Sequence, residues 1–165
     1  RLPGWSAAFA GAAMEGAVDA VLGGADRRID GRIAARVESL REVLRAVGIE
    51  LPRTRDREVF GTCELIAEFE LDRNRVATDS LQIRLDDTRF RGRAERAPLR
   101  DGRLMFALVG DAIDFDRYLE PDNVRGDPFE LPLGPLRALK AEGEVAMTEA
   151  TAGGVVLRGV RVNVE

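Results

Sequence analysis

Residues 63–71 read CELIAEFEL, and apolar side chains stand at every second position of this stretch. An alternation with a period of two is typical of a β-strand that buries one face and exposes the other. The alternation returns in residues 81–85 (LQIRL), after the turn-forming residues 72–74 (DRN). The two stretches therefore predict a pair of antiparallel strands with one apolar face.

Further strands are predicted on the C-terminal side of this pair. After Asp86 and Asp87 the apolar phase shifts to residues 90, 92 and 94, which indicates a bend or bulge. Residues 98–102 predict a turn, and residues 104–109 form an apolar run that we expect to be covered on both faces. Residues 59–118 are thus predicted to form an antiparallel meander.

The end of the chain adds short elements to this sheet. Residues 115–119 predict a single helical turn with Asp114 as its cap. A loop is expected at 121–128 and a short helix at 133–139. Residues 144–147 and 155–164 predict a final hairpin around Gly153 and Gly154.

The first third of the chain predicts helices. Residues 7–22 are rich in alanine, and Gly23 and Gly24 follow them. The next helix presents apolar residues at spacings of four and three, namely Ile33, Val37, Leu40, Leu44 and Val47. This helix either packs on its own domain, which we favour, or binds a partner. The predicted fold class is α+β, with a helical segment (1–52) followed by a curved antiparallel β-rich domain (53–165) that has short connecting helices.

Composition argues against catalysis. The 165 residues include no histidine and a single cysteine, Cys63, which removes histidine-based triads, internal disulfides and thiolate metal clusters. Phosphate-binding glycine loops are also missing. The net charge of −4 is against a domain-wide basic field, so we expect no nucleic-acid binding. Residues 2–22 contain Glu15 and Asp19 and make a poor membrane span.

Two charged clusters have a functional and a simpler interpretation. Asp111, Asp114 and Asp116 offer oxygen ligands for a divalent cation, but solvated acids and helix caps account for them better. Arg89, Arg91 and Arg93 alternate along one strand and offer contacts to phosphates. Acidic neighbours dilute this strand, so a solvated outer face is favoured. We predict no metal and no cofactor.

The apolar strand face has two interpretations as well. It is either the core of the domain or the lining of a groove for acyl chains, because a sheet must cover its apolar face with something. Periodicity alone does not separate the two. The candidate lipid-binding residues are Leu65, Ala67, Phe69, Leu81, Ile83, Leu85, Leu104, Phe106 and Leu108.

Several motifs in a fixed order resemble the AsmA family of bacterial envelope proteins. They are LREVLRAVGIELP (40–52), LQIRLDDTRFRGRA (81–94), LMFAL (104–108) and IDFDRYL (113–119). The closing stretches LPLGPLRAL (131–139), GEV (143–145) and GVRV (159–162) are also similar to that family. The resemblance covers residues 37–165 and does not extend to residues 1–36.

The resemblance implies a non-catalytic segment of a protein anchored in the inner membrane of Gram-negative bacteria and extending into the periplasm. AsmA-like proteins resemble TamB and the bridge-like lipid-transfer proteins, and they are linked to phospholipid transport and outer-membrane assembly. The anchor would lie in a part of the parent protein outside this sequence. The partners implied are phospholipid acyl chains and other envelope proteins. The family has no catalytic residues, and the DDT and FDRYL stretches would have structural roles.

Overall fold

A single mixed β-sheet of nine strands dominates the fold. The computed structural model describes residues 2–9, 11–21, 28–46, 48, 51, 53–121 and 140–164. In this part of the chain the sheet order follows the sequence order, from β1 to β9. The strands are β1 (Leu2–Phe9), β2 (Ala12–Val21), β3 (Arg28–Val37), β4 (Cys63–Leu71), β5 (Val76–Leu85), β6 (Thr88–Ala97), β7 (Arg103–Asp114), β8 (Ala141–Ala152) and β9 (Val155–Val164).

The N-terminal third is β-structure, so the predicted α+β class with N-terminal helices is wrong. Strand β2 pairs with β1 on one side and with β3 on the other. Its positions alternate between half-buried, as at Met14 and Val18, and exposed, as at Glu15 and Asp19. Alanine favours helices by a small margin only, and the two flanking strands override that preference.

The second predicted helix is divided between a strand and a helix. Ile33 and Val37 lie in β3, while Leu40 and Leu44 lie in the short helix α1 (Leu40–Ala46). Residues four apart share a face in a helix and in a strand alike, so the spacing between Ile33 and Val37 fits both structures. No residue of α1 is fully buried, but Leu40 and Leu44 are half-buried. The helix contacts its own domain at residues 54–61, where the Arg41 guanidinium lies over the Phe60 ring and donates to the Thr54 hydroxyl.

The sheet is continuous across the boundary that was placed after residue 52. Strand β3 pairs with β4 from Ile29 opposite Leu71 to Val37 opposite Cys63. The predicted meander is confirmed: β4 to β7 are antiparallel neighbours. Asp86 and Asp87 form the two-residue turn between β5 and β6, with Asp86 at a φ of 51°. The change of apolar phase at this point is therefore a hairpin turn.

Strand β8 runs parallel to β7, which the sequence did not predict. Parallel neighbours need a crossover connection of a dozen or more residues, and residues 115–140 provide it. The predicted helical turn is confirmed as a 3₁₀ turn (Phe115–Arg117), with the Asp114 carboxylate accepting from the Asp116 amide. The loop predicted at 121–128, apart from Pro121, and the helix predicted at 133–139 lie outside the described residues.

The final hairpin is confirmed and is longer than predicted. Strands β8 and β9 pair from Gly143 opposite Val164 to Ala152 opposite Val155. An extra residue in β1, and another in β5 that shifts its register with both β4 and β6, interrupt the otherwise regular ladders. Such bulges bend a strand and increase its twist.

Candidate functional site

All nine predicted lipid-binding residues lie on the same face of the sheet. Leu65 is paired with Ile83, and Ala67 with Leu81, and directly opposed residues point to the same side. The register carries this face through β6 to β7, where Leu108 is opposite Gly92. We call it the apolar face: it consists of every second residue of β1 to β7 that the register places on the same side as Leu65, and in β7 it ends at Gly110. Val145 of β8 and Val162 of β9 continue it.

Most side chains of the apolar face are half-buried. Ala67 and Leu81 are buried, with 6% and 9% of their surface exposed. The other seven predicted residues keep an intermediate exposure. Such a face is neither a closed core nor a fully open surface. Within the described residues, it therefore has apolar area left to bury.

Aromatic rings on this face lie over glycines of the neighbouring strand. Trp5 is opposite Gly16 and Phe69 is opposite Gly31, and a Cβ atom at either glycine would come within 2.8 Å of ring atoms. Phe106 covers Gly143 of β8 in the same way. Rings packed on cross-strand glycines fix strand register. The rings fill the places where these glycines have no side chain.

The opposite side of the sheet is the charged face. Cross-strand ion pairs join Arg36 to Glu64 at 3.5 Å and Arg103 to Glu142 at 2.8 Å; both arginine side chains are largely exposed and both glutamates are partly exposed. Arg89, Arg91 and Arg93 lie exposed on this side. Exposed pairs of this kind stabilise a fold little but keep a surface in water.

Strand β7 also contributes apolar side chains to the charged face. Met105 and Val109 are 46% and 61% exposed, so the expectation that β7 is covered on both faces is wrong. Shallow cavities lie between the side chains of this face. One of about 450 Å³ is lined by Asp19, Asp30, Arg32 and Glu68, among others, a mixture of charges that selects no single ligand.

A polar cluster, which we call the clasp, stands at the end of the sheet where β5 turns into β6. It consists of residues 53–61, the turn at 86–87 and residues 115–119. Asp86, itself 9% exposed, accepts hydrogen bonds from the Phe60 and Gly61 amides and from the Tyr118 hydroxyl, all at 2.9 Å. Its carboxylate therefore joins three segments that are distant in sequence.

Further contacts tie the clasp to the sheet. Arg117 forms ion pairs with Asp56 at 2.7 Å and with Asp87 at 2.9 Å. Asp116 accepts from the amides of Gly153 and Gly154 at 2.6 and 2.7 Å, which joins the 3₁₀ turn to the β8–β9 hairpin. The DDT stretch thus forms a hairpin turn where a bend or bulge was expected, and the FDRYL stretch forms the 3₁₀ turn that contacts it.

The three carboxylates considered as cation ligands, Asp111, Asp114 and Asp116, accept hydrogen bonds from backbone amides. Asp111 accepts from the Arg89 amide at 2.9 Å, Asp114 caps the 3₁₀ turn, and Asp116 binds the hairpin. The Arg89 amide is also the main reason why the pKa of Asp111 is lowered. Among the described residues there is no group of three or more acidic, cysteine or histidine side chains arranged to hold a metal.

Tyr118 gives the clasp a measurable pH dependence. Its partial burial, together with the negative charge of Asp86, raises the pKa of this phenol above its ordinary value of about 10. Above about pH 10 the unfolded chain therefore loses this proton before the folded chain does. The contribution of Tyr118 to stability is complete below that pH and is lost as the pH rises further.

Tyr118 is the only tyrosine in the chain, so tyrosinate absorbance reports on it alone. We expect the Tyr118 phenol of the folded protein to titrate clearly above pH 10. As the pH rises above 10, the free energy of unfolding should fall less in Tyr118→Phe than in the native protein. The Cys63 thiol, whose pKa burial also raises, is common to both proteins and cancels in the comparison. A folded-state titration near pH 10 would contradict the buried hydrogen bond to Asp86.

The sequence did not predict that Asp86 is the central hydrogen-bond acceptor of the clasp. It also missed the segment 53–61, which it left without a structure. Neither the DDT nor the FDRYL motif predicted the hydrogen bonds to Asp86, because its partners lie 25 to 32 positions away in the sequence. One helix signal was available: Ser39 and Glu42 form the start of a capping box, and the Ser39 hydroxyl accepts from the Glu42 amide at 3.3 Å.

Comparisons with known proteins returned no match to a family model, to a curated protein or to a solved structure. The resemblance to the AsmA family therefore stays a prediction. Among the described residues, no helix has the length and apolarity needed to span a membrane.

Proposed function

We propose that the chain is a non-catalytic periplasmic segment of an AsmA-like protein that holds phospholipid acyl chains on the apolar face. Its parent protein would be anchored in the inner membrane and would act in phospholipid transport and outer-membrane assembly. One observation carries the proposal. The nine residues chosen from sequence as lipid ligands share one face, and seven of them keep an intermediate exposure.

The two sides of the sheet support a lipid as the occupant. Acyl chains gain roughly 0.8 kcal/mol for each methylene removed from water, and an apolar face of several strands offers a long contact. The charged face, with pairs such as Arg36–Glu64, would remain in water. The rings of Trp5, Phe69 and Phe106 lie over glycines of the neighbouring strands and add aromatic surface to this face.

Native mass spectrometry of the purified protein with dioleoylphosphatidylglycerol tests the proposal. We expect bound phospholipid on the native protein and about tenfold less on Leu65→Asp, because a carboxylate would have to lose its water against the acyl chain. Ile66→Asp is the matched control. Ile66 is the next residue of β4, is half-buried like Leu65 and lies on the charged face.

Both variants must retain the β-sheet circular dichroism of the native protein before they are compared. Equal loss of lipid from Leu65→Asp and Ile66→Asp would show that the effect is not specific to the apolar face. Repeated lipid-free preparations of the folded native protein would refute the proposal.

A sheet edge gives a second candidate, an interaction module of the cell envelope. Val155, Val156 and Leu157 in β9 are 58%, 54% and 46% exposed, and β9 is the last strand of the described sheet. An edge with exposed apolar side chains can accept a strand from another protein. This alternative predicts lipid-free native protein and partner binding that Leu65→Asp leaves intact, so the same variants separate the two.

A further inference from the structure

One charged side chain interrupts the apolar face. Among the described residues that make up this face, Arg96 alone carries a charge. The register places it between Val76 of β5 and Leu104 of β7, at the end of the sheet away from the clasp. An arginine in an apolar row is costly unless its guanidinium finds an acceptor.

The guanidinium of Arg96 is incompletely satisfied. Its Nη2 donates to the backbone oxygen of Arg100 at 3.3 Å, which directs it toward the β6–β7 turn. Its Nε atom is buried and has no hydrogen-bond partner. Arg75 on the charged side, by contrast, pairs with Glu95 through both Nε and Nη2. Arg96 forms no ion pair with any described residue.

We propose that Arg96 binds the phosphate of the phospholipid whose acyl chains lie on the apolar face. This inference rests on the proposed function and adds an orientation to it: the head group lies at the β6–β7 turn and the tails extend toward the clasp. A guanidinium donates two parallel hydrogen bonds to a phosphate, and because Nε is buried we assign them to Nη1 and Nη2. Nη2 would exchange its 3.3 Å hydrogen bond to the Arg100 oxygen for the phosphate. The aliphatic part of Arg96 stays with Val76 and Leu104.

The test compares two lipids with the same acyl chains, dioleoylphosphatidic acid and dioleoylglycerol, by native mass spectrometry of the purified protein. The native protein is expected to bind the phosphate-bearing lipid about tenfold more tightly, the usual effect of a hydrogen bond between charged groups. Arg96→Gln should remove this preference while its binding of dioleoylglycerol is unchanged. Arg93→Gln, three residues away on the charged face, should keep the preference.

The outcomes separate this inference from the proposed function. If neither lipid binds, both are overturned. If both bind equally well to the native protein, or if Arg96→Gln keeps the preference, only the role of Arg96 is overturned. Inorganic phosphate is the last control. If millimolar phosphate removes the preference for dioleoylphosphatidic acid, and the native protein then binds both lipids equally, Arg96 binds a free anion and the assignment to a lipid head group is rejected. Should Arg96→Gln unfold, Arg96→Met replaces it, because methionine is neutral and fits an apolar row. Loss of the preference in a folded Arg96→Met protein supports the role, and an unchanged preference rejects it.

Discussion

Asp86→Ala is expected to lower the free energy of unfolding by about 3–5 kcal/mol. The substitution leaves the Phe60 and Gly61 amides and the Tyr118 hydroxyl without their acceptor. Each unpaired buried donor costs about 1–3 kcal/mol. Alanine is also strained at the positive φ of position 86, which aspartate tolerates better. Urea unfolding followed by circular dichroism measures the loss.

Two variants show which part of Asp86 matters. Asp86→Asn keeps the shape, the tolerance of positive φ and one acceptor oxygen, so we expect about half of the effect. Asp87→Ala changes the adjacent carboxylate, which is 80% exposed and contacts only Arg117 among the described partners. An exposed pair of this kind is worth at most about 1 kcal/mol. A larger loss in Asp87→Ala than in Asp86→Ala would refute the central position of Asp86.

Gly92→Ala is expected to cost about 2–3 kcal/mol. A Cβ atom at position 92 would collide with the carbonyl oxygen of Ala107 and lie 3.0 Å from the Cα atom of Leu108. Both are backbone atoms of β7, so the two strands would have to separate where they form their ladder. The same urea unfolding measurement applies.

Gly110→Ala is the matched control for Gly92→Ala. It places a methyl group on the same face, but the atoms that it meets belong to side chains, Met147 and Phe90. These side chains can rotate away, and methionine adapts with little cost. We expect a loss of about 1 kcal/mol or less. Equal losses at the two positions would mean that β7 does not approach Gly92 as closely as described.

The strands from residue 63 to residue 114 could be predicted because their periodicity is unambiguous. Alternation in CELIAEFEL fits no helix, and turn residues separate each strand from the next. The N-terminal strands could not be predicted, because alanine and glycine give little hydrophobic pattern. The spacing of Ile33 and Val37 also fits both the helical period and the strand period. Ser39 and Glu42 mark the true start of the helix, but the longer apolar spacing from Ile33 was followed instead and placed the start too early.

The candidate site could be predicted in one respect only. Alternation identifies which side chains share a face, and the register confirms this for all nine. It does not tell whether anything covers that face, since coverage depends on elements distant in sequence. For the same reason neither the parallel pairing of β8 nor the contacts of Asp86 were accessible: both join residues more than twenty positions apart.

Because sheet order follows chain order, each strand meets only the strands before and after it in sequence. A fold of this kind behaves as a one-dimensional array, in which stability is close to a sum of terms for neighbouring strands. Most neighbouring strands are joined by short loops, whose closure costs little entropy. The two long connections, residues 38–62 between β3 and β4 and residues 115–140 between β7 and β8, are the costly ones. Fraying should accordingly proceed inward from β1 and from the β8–β9 hairpin, with the four antiparallel strands β4 to β7 opening last.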